Sequence, residues 1–125
     1  MLKKVSTKKA PAAIGPYSQA IIAGDFLYVS GQIPIDPKNG EIIGTTITEQ
    51  TEQVMNNIGE ILKEAGVTYL EAVKTACFLA NMEDFAKFNE VYGKYFTEKP
   101  ARGCISVKQL PKNVLCEVEV IAYLK

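Results

Sequence analysis

The strongest constraint on the fold of this chain lies near its end. From Leu115 to Leu124 the side chains alternate with the period of a β-strand. Cys116, Val118, Val120, Ala122 and Leu124 point one way, and Glu117, Glu119, Ile121 and Tyr123 the other. The first set is uniformly apolar and asks for a cover of helices. The second mixes carboxylates with large apolar groups, an unusual content for a face turned wholly to water. Two readings of that second face are open from pattern alone: a solvated face with scattered apolar residues, or an oligomer interface with a polar pocket in it.

Two segments can supply the cover. Thr46-Ile47-Thr48-Glu49 has capping-box spacing. After it, Ile47, Thr51, Val54, Met55, Ile58, Leu62 and Ala65 fall on one helical face, and Gly66 provides a left-handed stop. Asn81 is expected to open a second helix, with Asp84 in its first turn. That helix carries the stripe Phe85, Phe88, Tyr92, Tyr95 and Phe96 and ends before Pro100. The plain reading of the stripe is core packing.

The remaining strands follow from composition and turns. Ala20–Ala23 and Phe26–Ser30 flank a Gly24-Asp25 turn. Asp36-Pro37-Lys38-Asn39-Gly40 is a further turn, with Asn-Gly expected to take positive φ. Val73–Ala80 reads as a buried strand. Arg102–Gln109 and Leu115–Leu124 are strands joined through Leu110-Pro111-Lys112-Asn113. Thr7–Ser18, rich in Pro and Gly, reads as an ordered loop or a broken strand. The predicted order is β-β-α-β-α-β-β: a mixed sheet with two helices on one face, an α+β arrangement. At 125 residues the chain is read as one domain, residues 1–125. Arg102, Cys104 and Ser106 are expected to share one face of their strand, and Tyr28, Ser30 and Gln32 one face of theirs.

Composition removes several kinds of chemistry. The chain has no histidine, which excludes Ser-His-Asp and Cys-His catalysis, His-ligated zinc and an imidazole pH switch. Lys+Arg and Asp+Glu both number 14, so the balance disfavours a nucleic-acid partner, which generally needs a net basic surface. Lys3, Lys4, Lys8 and Lys9 are read as a frayed, solvated terminus. Three cysteines, Cys77, Cys104 and Cys116, form no CxxC pair and suggest free thiols in a reducing compartment. No apolar run approaches the roughly 20 residues of a membrane span. A cytoplasmic location without a membrane partner is expected.

Few residues stand out as chemical. Arg102 follows Pro100-Ala101 at a helix-to-strand junction, where a guanidinium could grip a carboxylate through two parallel hydrogen bonds. A solvated surface arginine is the plain alternative. Glu117 and Glu119 project from the same strand face. If that face is buried, one can polarise a water while the other pairs with a cation; otherwise they are an exposed acidic edge or an intersubunit salt bridge. Cys104 lies near Arg102 but has no histidine as its base, so it is read as a core or pocket-wall residue. Gly15-Pro16-Tyr17-Ser18 is a turn with two hydroxyls.

Three segments carry a resemblance that goes further. Ala10-Pro11-Ala12-Ala13-Ile14-Gly15-Pro16-Tyr17-Ser18-Gln19-Ala20 resembles the opening motif of the RidA family, also called YjgF, the reactive-intermediate imine deaminases. Val29-Ser30-Gly31-Gln32-Ile33-Pro34 resembles its second motif. Pro100-Ala101-Arg102-Gly103-Cys104, Leu110-Pro111-Lys112 and Cys116–Ala122 together resemble its C-terminal signature. The resemblance spans essentially the whole chain. It implies a chorismate-mutase-like fold and a homotrimer with sites between subunits. The implied reaction is hydrolysis of 2-iminopropanoate or 2-iminobutanoate and their enamine tautomers to 2-oxo acids and ammonia, with no cofactor and no metal. By position, Arg102 matches the arginine that holds the substrate carboxylate, and Glu117 the acid that holds the attacking water. Cys104 matches a pocket residue acting through its backbone. Tyr17, Ser30 and Asn89 match further substrate-binding positions, with Gly31 adjacent. Gly103 stands where the family often has Ser, Ala or Thr, and Thr97-Glu98-Lys99-Pro100 is shorter than in some members. Alternatives from other classes are an endoribonuclease or translation inhibitor, and a chaperone-like or small-ligand-binding trimer.

Overall fold

The computed structural model describes residues 1–125. Six strands form a single sheet: β1 (Lys3–Val5), β2 (Ala20–Ala23), β3 (Phe26–Gln32), β4 (Ala72–Leu79), β5 (Ala101–Ser106) and β6 (Cys116–Tyr123). Their spatial order is β1-β2-β3-β6-β4-β5. All neighbours are antiparallel except β4 and β5, whose parallel pairing needs a crossover. Helix α2 (Phe85–Tyr95) supplies it. Helix α1 (Ile47–Glu64) connects β3 to β4, with a short 3-10 turn at Tyr69–Glu71 leading into the strand. Neither helix is long and apolar enough to cross a membrane.

Local chemistry sets the ends of α1. Thr46 accepts from the backbone N–H of Glu49, and the Glu49 carboxylate accepts in return from the Thr46 N–H. At the other end Gly66 takes φ 84°. Its N–H and that of Val67 donate to Lys63 and Leu62, which closes the last turn. Ile47, Thr51, Val54, Met55, Ile58, Ile61 and Leu62 are buried against the sheet. They meet Leu27, Val29, Leu79, Cys116, Val118, Val120 and Ala122 in one core with Phe88, Val91, Tyr92 and Phe96 of the α2 region. The alternation along β6 is therefore as the sequence predicts: even-numbered residues are buried under the helices, and Glu119 and Tyr123 are exposed.

Five expectations need correction. Lys3 and Lys4 are not frayed: their backbone forms β1 and pairs with Ile22 and Ile21, while Val5 is buried. The four lysine side chains are exposed, which is why the composition alone suggested a loose end. The intervening segment is an ordered loop gripped by one side chain. Gln19 accepts from Thr7 N–H through Oε1 (2.7 Å) and donates through Nε2 to the carbonyls of Thr7, Ala10 and Pro11. Asn81 caps a 3-10 turn, Met82–Asp84, and α2 itself begins at Phe85. β5 stops at Ser106 rather than Gln109. Finally, a register shift between Val29 and Gln32 turns Gln32 into the interior, so it does not share a face with Tyr28. In the Asp36–Gly40 turn only Gly40 takes positive φ.

Candidate functional site

The first cluster of candidate residues sits at the edge of the helix-covered face. Arg102 pairs in register with Thr75, and Cys104 with Cys77, across the parallel β4–β5 ladder. Thr75 and Cys77 are both buried, so Arg102 and Cys104 lean toward the helices. Arg102 is held from three sides. Its Nη1 donates to Asn89 Oδ1 at 2.7 Å. Its guanidinium carbon lies 4.8 Å from the Tyr92 ring centre and 5.5 Å from that of Phe85. Tyr92 in turn shares a 2.6 Å hydrogen bond with Thr75 Oγ1. Phe85, Asn89 and Tyr92 follow one another at helical spacing on α2, so a single stripe builds the whole cradle. The aromatic residues of that stripe are core, as predicted. Two of them, Phe85 and Tyr92, also seat the arginine, a second duty that an aromatic stripe does not announce; the polar Asn89 interleaved at i+4 from Phe85 is the one signal of it.

This cradle opens into a cleft of about 350 Å³, lined by Asn89, Tyr92, Gly93, Phe96, Thr97, Lys99, Pro100 and Arg102. No carboxylate lines it, and neither cation takes part in an ion pair. Cys104 stands beside Arg102 with its thiol pushed up by burial, an effect that the Arg102 charge only partly offsets. Burial thus favours its neutral thiol form, and it is not among the residues that line the cleft.

The second cluster lies on the opposite, uncovered face. Glu117 sits between Phe78 on β4 and the irregular end of β3. Its carboxyl lies over Gly31: a Cβ placed there would fall 2.9 Å from Glu117 Cδ. Gly31 is therefore a glycine because the carboxylate occupies the space a side chain would need. Burial raises the pKa of Glu117 above the ordinary carboxylate range, and the neighbouring Glu119 raises it further. Ser30 is fixed alongside, its Oγ donating to the Ser18 carbonyl at 2.6 Å. Tyr17 precedes that serine in an exposed turn, its N–H donating to the Gly15 carbonyl. The same face holds a shallow hollow of about 360 Å³ lined in part by Tyr28, Ser30, Lys74, Glu119 and Ile121. Phe26, Tyr28, Ile105 and Tyr123 are exposed.

One chain thus brings Arg102, Asn89 and Cys104 together, and Glu117, Gly31 and Ser30 together, but places the two groups on opposite sides of the sheet. What these features define is an α+β protein with an anion-seeking arginine at the sheet edge and a half-buried carboxylate on its bare face.

The family Endoribonuclease L-PSP matches residues 7–124. A RutC family protein of Pyrococcus horikoshii is 54% identical over 124 residues, covering 98% of both chains. Reactive Intermediate Deaminase A of Arabidopsis thaliana, a chloroplastic protein, is 48% identical over 121 residues, which are 96% of this chain and 65% of that one. The crystal structure of Escherichia coli TdcF with bound serine superposes with a TM-score of 0.92 at 38% identity, covering 97% of this chain and 98% of that one. The chain belongs to this family, the RidA/YjgF proteins.

Proposed function

We propose that the protein hydrolyses reactive 2-imino acids, with 2-iminopropanoate and 2-iminobutanoate as substrates, at sites completed by a second copy of the chain in a homotrimer. The observation that carries this reading is the Arg102 cradle: a guanidinium held by Asn89 and Tyr92, with no acidic partner, facing a cleft. The Arabidopsis relative named as a deaminase and the serine-bound TdcF structure support it. A small carboxylate satisfies the arginine through its free N–H groups.

The chemistry required is modest. An iminium carbon is already electrophilic, so the protein need only anchor the substrate and hold a water in line. Arg102 anchors the carboxylate. Glu117, partly desolvated over Gly31, holds the water and accepts its proton when in its carboxylate form. Because these groups lie on opposite faces of one sheet, the reading requires Glu117 of one subunit to approach Arg102 of another. The exposed Phe26, Tyr28, Ile105 and Tyr123 give the bare face a reason to be covered.

The test generates 2-iminopropanoate in situ with an amino-acid oxidase and lets semicarbazide compete for the imine. Wild-type protein is expected to suppress semicarbazone formation. Arg102→Ala is expected to lose at least about a hundredfold in kcat/KM while keeping its oligomeric mass. Undiminished hydrolysis by Arg102→Ala would sink the assignment.

A further inference from the structure

We propose that Lys99 is a second anion-binding group of the Arg102 cleft, and that it extends the substrate class to 2-imino acids bearing a second carboxylate, of which 2-iminosuccinate is the four-carbon example. This rests on the deaminase reading above and names a further substrate class for the same site.

The cleft is electrostatically one-sided. Lys99 and Arg102 line it with Asn89, Thr97, Gly93 and Pro100, and Tyr92 and Phe96 are the large apolar residues among its walls. The chain has two ion pairs, Lys94–Glu52 and Lys125–Asp25, and neither touches the cleft. Glu98, next in sequence, is not among the lining residues. Within one chain two cationic residues line the hollow and no carboxylate does, so with the Glu117 of a second copy brought in to hold the water the site still keeps one net positive charge, which favours a doubly charged ligand over a singly charged one.

The lysine is also placed rather than loose at its root. Lys99 takes φ 54°, a conformation that residues with a side chain rarely adopt and that is rarer still ahead of a proline. Its N–H donates to the Phe96 carbonyl at 3.2 Å, and Pro100 locks the next φ. The chain therefore turns back on the end of α2 at this residue, which fixes the Lys99 Cα at the rim of the cleft.

The division of labour follows from donor geometry. One N–H of Arg102 is spent on Asn89. The rest of the planar fork suits the carboxylate next to the C=N carbon. The Lys99 ammonium, a compact charge on a flexible stem, suits a second carboxylate at variable reach. The cleft, at about 350 Å³, has room beyond that of a three-carbon acid, being within the range of about 300–1,000 Å³ typical of small-molecule sites. The reaction is unchanged: the water oxygen bonds to the imine carbon, the C–N bond breaks, and both water protons leave on nitrogen as ammonia. 2-Iminosuccinate and water give oxaloacetate and ammonia. The supplying reaction would be one that oxidises an amino diacid to its imine or removes water from a β-hydroxy amino diacid.

The test compares two imines made in situ, 2-iminosuccinate from L-aspartate with an aspartate oxidase and 2-iminopropanoate from alanine, each against the semicarbazide trap. Lys99→Gln is expected to lower the iminosuccinate-to-iminopropanoate ratio of kcat/KM about tenfold, and Lys99→Glu to lower it further. Lys63→Gln, which removes the same charge from the last turn of α1, is expected to keep the wild-type ratio. A Lys99→Gln ratio within twofold of wild type overturns the proposal, as does an equal fall in Lys63→Gln. If wild type hydrolyses neither imine, the deaminase reading fails and binding decides the role of Lys99. Calorimetric titration with oxaloacetate and pyruvate then supports a diacid site if Lys99→Gln weakens oxaloacetate about tenfold more than pyruvate, and overturns it if both change alike.

Discussion

The two faces of the sheet are built to different rules. Beneath the helices every β6 side chain is apolar or small and fully packed, from Cys116 to Ala122. On the bare face the same strand presents Glu117, Glu119, Ile121 and Tyr123, none fully buried. The covered face spends its residues on cohesion and yields chemistry only at its rim, where Arg102 emerges beside α2. The bare face leaves a carboxylate partly desolvated with no hydrogen-bond donor from its own chain. Each face holds what the other lacks, and the sheet between them keeps the two apart.

The sharpest way to break this comparison is to separate the halves genetically. Arg102→Ala and Glu117→Gln are each expected to be inactive. Co-expressed in equal amounts, they should regain about a quarter of wild-type activity if each site takes its arginine and its glutamate from different chains at random. Assay of the purified mixed oligomer decides; no recovery would place both groups on one chain.

A second contrast uses stability against assembly. Phe88, fully buried between α2 and the sheet, should cost about 3–5 kcal/mol when cut to Ala, read by denaturant unfolding. Tyr28→Arg, on the bare face, should leave helix content intact by circular dichroism and shift the mass in light scattering from oligomer to single chain. A Tyr28→Arg protein with undiminished mass would mean that this face is solvated after all.

A third contrast stays within the bare face. Gly31→Ala puts a methyl where the Glu117 carboxyl lies, and the flexible glutamate can swing aside at little cost in folding. Gly31 does not take a positive φ, so the backbone tolerates alanine. Activity should fall about ten- to a hundredfold through misplacement of the carboxylate, with the melting temperature nearly unchanged. Parallel losses of activity and stability would reduce Gly31 to a packing residue.

The sequence conveyed the covered face well because period and capping write it directly. The capping box at Thr46, the stop at Gly66 and the alternation along β6 each have one physical reading. The β1 strand was hidden because three residues with two lysines carry almost no hydrophobic period, and its partner is set by the distant hairpin of β2 and β3. Gln32 was misplaced because a register shift reverses every later side chain, and no local residue announces it. Of the candidate site, Arg102 and Glu117 could be proposed from motif resemblance. Their separation could not, because it depends on which way a parallel edge strand turns its side chains relative to an antiparallel neighbour. The seating of Arg102 on Phe85 and Tyr92 was masked by the ordinary meaning of an aromatic stripe.

The smallest expected effect tests the bare face most finely. Glu117 is raised first by burial and second by Glu119. Its carboxylate must be ionised to hold water, so activity should fall as pH drops through this raised value. The linkage to stability has the opposite sense. The folded chain binds the Glu117 proton more tightly than the unfolded chain, so this group's contribution falls as pH rises from its unfolded value of about 4.3 to the raised one. Glu119→Gln removes the second cause and leaves the first. The acid limb of kcat/KM should move to lower pH, and the loss of stability over that window should shrink. Glu119 is exposed, so its field is screened and the displacement should be clearest at low ionic strength and fade with added salt. An acid limb that does not move at low salt would mean either that Glu117 does not set it or that Glu119 lies too well solvated to be felt. Repeating the titration in Gly31→Ala separates the two, because shifting the carboxylate toward solvent must lower the limb only if Glu117 is the group that titrates.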